Sequence, residues 1–303
     1  MDTTNTFDVI IIGGSYAGLS AGMALGRSLR NVLIIDAGEP CNRQTPHSHN
    51  FLTQDGQTPA QISSIAKEQV LAYPTVSFLE DKVSDAKQTN AGFEVFTERG
   101  KRFGARKLII ATGIKDIFPE IKGFAECWGI TVLHCPYCHG YEVKHENIGI
   151  IANGDVAFEF CRLIFNWTKN LTLFTNGTST LSDEHKAKLA SKKINIVEKE
   201  IAELVNENGQ LQHILFKDET KHPLKAIFAR GGLEQHATFA SDLGCELNDF
   251  GFIKVNEFQE TTVKGIFAAG DCTTMMRSVA LSVSGGNMTG VIANKYLLEE
   301  DFG

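Results

Sequence analysis

A strand, a glycine-rich turn and a helix follow one another near the start of the chain, and this combination restricts the fold most. Residues 7–12 are an apolar run rich in Val and Ile, which predicts a buried parallel strand. The turn Gly13-Gly14-Ser15-Tyr16-Ala17-Gly18 follows, and residues 19–26 have a helical pattern. A second apolar run, residues 31–35, ends on Asp36. The order predicts a dinucleotide-binding fold, in which the turn meets a pyrophosphate and the acid meets a ribose.

Residues 147–175 repeat this plan less closely. Their turn is Ala152-Asn153-Gly154-Asp155-Val156-Ala157, in which Ala152 replaces the first glycine while Gly154 and Ala157 keep the small positions. The strand after it ends in Thr175-Asn176-Gly177, with no acid for an NAD ribose and no arginine for an NADP phosphate. We expect a second nucleotide-binding fold with Gly154 and Ala157 as candidate NAD(P) residues. The sequence leaves open whether that site binds a nicotinamide.

The segment His134-Cys135-Pro136-Tyr137-Cys138-His139-Gly140 lies near the middle of the chain. Two thiols spaced C-x-x-C can close a small disulfide ring and reopen it, and a helix start at this point would favour the thiolate. Three alternatives compete with redox catalysis. A zinc site would need a second ligand pair, which is absent; a purely structural disulfide is unexpected in so short a loop. A glutaredoxin-like module would carry the pair just after its first strand, whereas more than a hundred residues precede it here.

Composition excludes several classes of protein. The formal net charge is −7 without a lysine or arginine block, which argues against nucleic acid as a partner. No stretch approaches the roughly 20 apolar residues of a membrane span, and the first residues do not resemble a signal peptide. Seven cysteines are present, and five are scattered, which favours a reducing cytoplasm. These five are Cys41, Cys127, Cys161, Cys245 and Cys272.

Five motifs stand in one order along the chain, and together they carry a resemblance. They are residues 13–18, Asp36, Ala111-Thr112-Gly113, residues 135–138 and residues 265–271. Over essentially its whole length the chain closely resembles the low-molecular-weight thioredoxin reductase family of flavoproteins. The resemblance implies an α/β fold of two Rossmann-like, three-layer ββα domains and a homodimer. The FAD-binding domain would comprise residues 1–113 and 237–303, and a pyridine-nucleotide-type domain, residues 114–236, would carry the C-x-x-C.

The resemblance also implies site residues. In the catalytic pair, Cys138 would lie nearer the flavin and Cys135 would exchange with substrate, while His139 would move the accompanying proton, as a histidine pKa near 6.5 allows. His134 is a weaker candidate for the same role. The implied FAD-binding residues are Gly13, Ser15, Ala17, Gly18, Asp36, Gln44, Asn50, Val83, Ala111, Thr112, Gly113, Gly270, Asp271, Arg277, Ser278 and Val279. No metal ligands are implied.

Three departures from the family pattern leave the identity of the electron donor undetermined. The second turn lacks its first glycine, the H-R-R segment that reads an NADP phosphate is absent, and His139 replaces the usual acid. With Gly140-Tyr141-Glu142, His139 resembles a subgroup of dithiol oxidases that pass electrons from a substrate dithiol through FAD to dioxygen.

The sequence therefore predicts an FAD-dependent thiol–disulfide oxidoreductase of thioredoxin-reductase type. In the first hypothesis NAD(P)H is the donor, and a thioredoxin-like protein or a small disulfide is the substrate. The second is a dithiol oxidase that needs no nicotinamide. The third, from another class, is a non-catalytic flavin-binding redox sensor, which would need an inert C-x-x-C.

Overall fold

A computed structural model describes residues 5–303, in which strands and helices alternate. The first elements are β1 (Asn5–Ile12), α1 (Tyr16–Arg27), β2 (Val32–Asp36), α2 (Pro59–Leu71), β3 (Val76–Glu80), β4 (Val83–Thr89), β5 (Gly92–Thr97), β6 (Arg102–Ile110) and β7 (Ile114–Ile117). The central elements are α3 (Phe124–Cys127), β8 (Val132–Leu133), α4 (Pro136–His139), β9 (Ile148–Ile151), α5 (Gly154–Ile164), β10 (Leu171–Phe174), α6 (Asp183–Ser191), β11 (Asn195–Val197), β12 (Ile201–Glu207), β13 (Gln210–Phe216), β14 (Lys221–Pro223), β15 (Ala226–Ala229) and β16 (Gly232–Gln235). The last are α7 (Phe239–Asp242), β17 (Ile266–Ala268) and α8 (Val279–Phe302).

The chain forms two compact units. The first contains residues up to 43, 51–115 and 233–303, and the second contains residues 44–50 and 116–232. Residues 44–50, which the predicted boundaries placed in the FAD-binding domain, therefore group with the second unit. This grouping reflects contacts within the second unit. Thr45 lies against Gly129, since a Cβ added to this glycine would be only 3.1 Å from Oγ1 of Thr45.

The first unit contains a seven-stranded sheet in the order β3-β2-β1-β6-β5-β4, with β17 also paired to β6. Strands β1, β2, β3, β6 and β17 are parallel, and β4 and β5 join antiparallel. Both faces of the parallel part are buried, because Ile10 and Ile12 pack in one apolar cluster and Ile11 packs in another. Burial on both faces explains why residues 9–12 of β1 are all apolar rather than alternating with polar residues.

Helices α1 and α8 pack closely against each other through small residues. A Cβ at Gly286 would lie 2.1 Å from the carbonyl oxygen of Ala17, so only glycine permits this approach. The segment Ser284-Gly285-Gly286 in the sequence predicts an interruption near the start of a long helix. In the structure, helix α8 is continuous from Val279 to Phe302. That prediction was wrong, because Gly286 packs against α1 within an unbroken helix.

The second unit contains a five-stranded parallel sheet in the order β11-β10-β9-β15-β8 and a three-stranded antiparallel sheet, β12-β13-β14. The strand–turn–helix–strand repeat predicted over residues 147–175 is present as β9, α5 and β10. Two apolar clusters fill this unit, one around Phe124 and Leu204 and the other around Phe160 and Leu173.

Several predicted boundaries differ from the structure. The sequence of residues 76–83 predicts one strand, whereas the structure has two, because β3 pairs with β2 and β4 pairs with β5. The sequence of residues 194–205 predicts one strand of a meander, whereas in the structure these residues form β11 and β12, which belong to different sheets. The sequence predicts a helix over residues 158–167, but helix α5 begins earlier, at Gly154, since the side chain of Asn153 caps its first turn.

Candidate active site

Cys135 and Cys138 are joined by a disulfide, with their Cα atoms 5.3 Å apart. Cys135 is the N-cap of α4, a helix of only four residues. Its carbonyl oxygen accepts hydrogen bonds from the N–H groups of Cys138 and His139, each at 3.2 Å. Pro136 has no N–H to donate. A helix start is therefore present, but one short turn with two of its amides already bonded gives a thiolate little of the stabilisation expected from a helix dipole.

Aromatic side chains flank the redox turn. Tyr137, between the two cysteines, is exposed and makes an edge-to-face contact with Trp167, with ring centroids 5.5 Å apart. On the other side His134 stacks on Trp128, with centroids 5.7 Å apart. His134 thus packs against a ring of the core, an arrangement that accounts for this residue without a proton-transfer role.

His139 sits in a cluster of ionisable groups. Burial lowers the pKa of its imidazole below the usual value of 6.5, while the negative charge of Glu142 raises this pKa and His49 lowers it. Nε2 of His49 lies 3.5 Å from Oε1 of Glu142. Because burial is the largest of these effects, His139 is neutral at pH 7 and has a ring nitrogen that can accept a proton.

The turn after β1 is built by close backbone contacts within the first unit. Gly13 has φ +106°, and a Cβ on it would lie 2.2 Å from the carbonyl oxygen of Ala111. A Cβ at Gly18 would lie 1.8 Å from the carbonyl oxygen of Gly13. Near Ala17, a Cβ on Gly270 would approach the alanine methyl group within 3.0 Å. These contacts bring the predicted residues after β1, β6 and β17 together at the start of α1.

Acidic side chains lie at two points of this region. Asp36 Oδ1 accepts a hydrogen bond from the N–H of Gly14 at 2.8 Å, and Oδ2 accepts one from Gly38 at 3.0 Å. Asp271 Oδ2 accepts a hydrogen bond from Nε of Arg277 at 3.0 Å, and both side chains are largely buried. A carboxylate oxygen has further lone pairs, so each acid can still accept a hydrogen bond from a hydroxyl group.

The remaining residues predicted to bind the cofactor lie in different structural elements. Ser278 caps α8 by accepting a hydrogen bond from the N–H of Leu281 at 3.2 Å, and Val279 begins that helix. Val83 begins β4 with its side chain buried. Gln44 and Asn50 group with the second unit, and their contact with the cofactor stays a prediction.

One observation in the first unit tests the fit to FAD directly. The hydroxyl oxygen of Thr112 is buried and has no hydrogen-bond partner among residues 5–303. Thr112 directly follows the carbonyl of Ala111 that contacts Gly13. A buried hydroxyl group without a hydrogen bond, next to a glycine-rich turn and two acidic side chains, is a place where a polar cofactor would provide the missing hydrogen bond. The residues present therefore fit FAD.

The corresponding turn of the second unit is occupied by the chain itself. Asn153 Oδ1 accepts hydrogen bonds from the N–H groups of Gly154 and Thr180, both at 2.9 Å, and its amide donates to the carbonyl of Thr178 at 2.9 Å. Asp155, in the first turn of α5, lies 3.2 Å from Nδ1 of His185. The sequence did not reveal this closure, because residues 178–185 are brought to the turn only by the fold.

Comparison with known proteins is consistent with this geometry. The family described as pyridine nucleotide-disulphide oxidoreductase matches residues 7–286. The chain belongs to this family. Its fold, its class as a thioredoxin-reductase-like disulfide oxidoreductase and its use of FAD were predicted from the sequence, and these predictions are confirmed. The family uses FAD and NAD(P)H.

Individual relatives extend over nearly the whole chain. A thioredoxin reductase of Claviceps purpurea (strain 20.1), named tcpT, is 32% identical over 311 residues, covering 99% of this chain and 97% of the relative. The crystal structure of an oxidoreductase from Agrobacterium tumefaciens is 40% identical with a TM-score of 0.91, over 97% of this chain and 99% of the other. A putative thioredoxin reductase TrxB from Bacillus anthracis is 31% identical, with a TM-score of 0.93 and the same coverage.

A membrane-spanning helix was not expected, and no helix within residues 5–303 is both long and apolar enough to cross a bilayer.

Proposed function

We propose that the Cys135–Cys138 disulfide is the redox centre of this oxidoreductase and exchanges electrons with a dithiol or disulfide substrate. The observation that carries the proposal is the closed disulfide in a short turn whose next residue, His139, is held neutral by burial. A neutral imidazole beside a thiol–disulfide pair provides the proton acceptor that each exchange needs.

The exchange can be written with atoms and electrons balanced. A substrate thiolate attacks Sγ of Cys135, the Cys135–Cys138 bond breaks, and Cys138 leaves as a thiolate. The second substrate thiol then attacks the mixed disulfide and releases Cys135. The substrate gains one S–S bond, while the protein pair gains two electrons and two protons. His139 accepts a proton from an attacking thiol and returns it to a departing thiolate, and the reductase direction is the reverse.

FAD supplies the two-electron donor or acceptor for the cysteine pair when it is bound. We propose that the turn of Gly13, Ala17 and Gly18 holds the pyrophosphate of FAD. Asp36 would accept hydrogen bonds from the hydroxyl groups of the adenosine ribose. Asp271 would accept hydrogen bonds from the ribityl hydroxyl groups, while the hydrogen bond from Arg277 holds the Asp271 carboxylate in position. Thr112 would donate its otherwise unsatisfied hydroxyl.

With NADP(H) or NAD(H) as donor, in the manner of the family, the enzyme is a reductase of a thioredoxin-like protein or a small disulfide. A second candidate, a dithiol oxidase with dioxygen as acceptor, is favoured by the closed turn at Asn153. There a side chain already satisfies the amide of Gly154, and Asp155 adds negative charge where a pyrophosphate would lie.

We further propose a homodimer located in the cytoplasm. Helix α8 exposes Leu281, Met288, Val291 and Leu298, whose spacing of seven, three and seven residues places them on one side of the helix. An apolar stripe of this kind favours a partner helix from a second copy. Five cysteines outside the redox pair are free, which supports a reducing compartment.

An anaerobic titration of the FAD-loaded protein tests the proposal and separates the two electron routes. NADPH, NADH and a small dithiol are added in turn while the absorbance of oxidised flavin is recorded. Rapid bleaching by a nicotinamide supports the reductase. Bleaching by dithiol alone, with colour returning in air, supports the oxidase.

Cys135→Ser and Cys138→Ser variants are the matched controls for this titration. We expect the dithiol to bleach the flavin of neither variant, since each lacks the disulfide. If alkylation before and after dithiol treatment shows that the wild-type pair never opens, the protein is instead a non-catalytic flavin-binding sensor.

A further inference from the structure

A cleft of about 820 Å³ lies in the second unit and begins at the redox turn. Tyr137, between the two cysteines, forms one wall, and Trp167, which contacts the Tyr137 ring, forms the next. The rest of the cleft follows one side of α5. Its lining residues are Tyr137, Asp155, Val156, Glu159, Phe160, Arg162, Leu163, Asn166, Trp167 and Arg230.

The lining combines an apolar surface with one cation that has no carboxylate partner. Val156 and Leu163 add aliphatic surface to the three aromatic rings. Arg162 is paired with Glu159, and Asp155 lies against His185. No ion pair joins Arg230 to a carboxylate anywhere in the part of the chain that the structure describes, residues 5–303. Its guanidinium instead lies 5.1 Å from the ring centroid of Phe160.

We propose that this cleft binds the substrate of the Cys135–Cys138 pair, and that the substrate is a small apolar dithiol or disulfide carrying a carboxylate that pairs with Arg230. The inference rests on the function proposed above. Small-molecule sites are mostly apolar clefts of about 300–1,000 Å³ with a few polar groups that fix orientation, and this cleft falls in that range. A thioredoxin-like protein would need a larger contact surface.

The charge of Arg230 determines the expected selectivity. Binding a carboxylate gives this guanidinium an ionic partner, whereas a neutral group of the same shape does not. Since Arg230 is exposed to solvent, we expect a modest preference for the anion, of about three- to fivefold. The reaction is the exchange already described, in which two electrons and two protons pass from the substrate dithiol to the cysteine pair.

Dihydrolipoate and dihydrolipoamide are suitable probes, because both have the same dithiol and apolar chain and differ in one charge. The FAD-loaded, full-length protein is mixed with each under anaerobic conditions and quenched with an alkylating agent. Mass spectrometry then measures how fast Cys135 and Cys138 become alkylatable. We expect faster opening by dihydrolipoate, equal rates in Arg230→Gln, and a retained preference in Arg230→Lys.

Lys188→Gln is the matched control, since it removes one exposed positive charge of the same unit outside the cleft. Its preference for dihydrolipoate should equal that of the wild type. Equal rates for the two probes in the wild type, or a preference that survives in Arg230→Gln, would overturn the proposal.

Two further outcomes separate this proposal from the proposed function. If neutral dithiothreitol opens the disulfide while the lipoyl probes show no charge preference, the redox function stands and the cleft assignment fails. If no dithiol opens it, the function itself fails. If NADP+, which brings no electrons, slows the opening by dihydrolipoate in the wild type but not in Arg230→Gln, the cleft holds a nucleotide and the substrate assignment is wrong.

Discussion

The side chains of His49 and Glu142 are in contact beside the redox turn, with Nε2 of His49 3.5 Å from Oε1 of Glu142. Both residues affect the pKa of His139, which Glu142 raises and His49 lowers. The contact connects residues 44–50 with the segment that follows Cys138. It therefore places a second histidine near the proposed proton acceptor, although some ninety residues separate the two in the chain.

Replacing Glu142 should shift the pH dependence of thiol exchange. Glu142→Gln removes the negative charge that stabilises protonated His139, so the pKa of His139 falls further. We expect the acid limb of the pH–rate profile for opening of the disulfide to move to lower pH. Glu146→Gln, an exposed carboxylate on the same segment, is the control and should leave the profile in place.

His139 should also make folding stability depend on pH. Its pKa is lower in the folded protein than in the unfolded chain, so the unfolded chain binds more protons between the two values. Stability should therefore fall as pH decreases below about 6.5, down to the folded pKa.

Urea unfolding of His139→Gln across this pH range measures the effect, and we expect a shallower slope than in the wild type. His213→Gln, a histidine of β13 outside the redox turn, controls for the loss of an imidazole. Equal slopes for the two variants would contradict the assignment.

Native-state alkylation should distinguish the cysteines. Burial raises the pKa of the Cys161 and Cys272 thiols to about 12, and it also raises those of Cys127 and Cys245. Cys41 is exposed. Iodoacetamide at about pH 8 should modify Cys41 alone in the oxidised protein, and also Cys135 and Cys138 after mild reduction. Peptide mass mapping checks this, and labelling of Cys161 before unfolding would contradict it.

Two adjacent glycines of α8 should respond oppositely to alanine. Gly286→Ala places a methyl group 2.1 Å from the carbonyl oxygen of Ala17, so α1 and α8 must separate, at a cost of about 1–3 kcal/mol or more. At Gly285 the nearest atom is Oε1 of Gln259, 3.7 Å away, so Gly285→Ala should stabilise the helix by up to about 1 kcal/mol. Chemical denaturation measures both, and FAD content should fall in Gly286→Ala alone.

Asp271→Asn should weaken FAD binding. The variant keeps an oxygen acceptor but loses the charge that holds Arg277, and hydrogen bonds to charged groups are worth about 1.5–3 kcal/mol. We expect the FAD dissociation constant to rise about tenfold or more, measured by reconstitution of the apoprotein. Asp249→Asn, an exposed acid of the same unit, should bind FAD like the wild type.

Local sequence patterns determined a large part of this protein. The apolar run of β1, the glycines of the first turn and the acid ending β2 encode a strand–turn–helix–strand unit through neighbouring residues alone. The C-x-x-C spacing likewise determined the disulfide, because three residues in a turn bring the two thiols together. Helix α8 was predicted with an interruption, since the contact between Gly286 and Ala17 cannot be seen in the sequence of one helix.

Contacts between distant segments decided the rest. The grouping of residues 44–50 with the second unit, the approach of His49 to Glu142, and the closure of the Asn153 turn by residues 178–180 all join residues far apart in the chain. The cleft beside Tyr137 exists only because Trp167 and Arg230 lie near α4 and α5 in the folded unit. Hydrophobic periodicity and turn sequences depend on a few neighbouring residues. Which buried or charged side chains contact one another depends on packing across the whole unit.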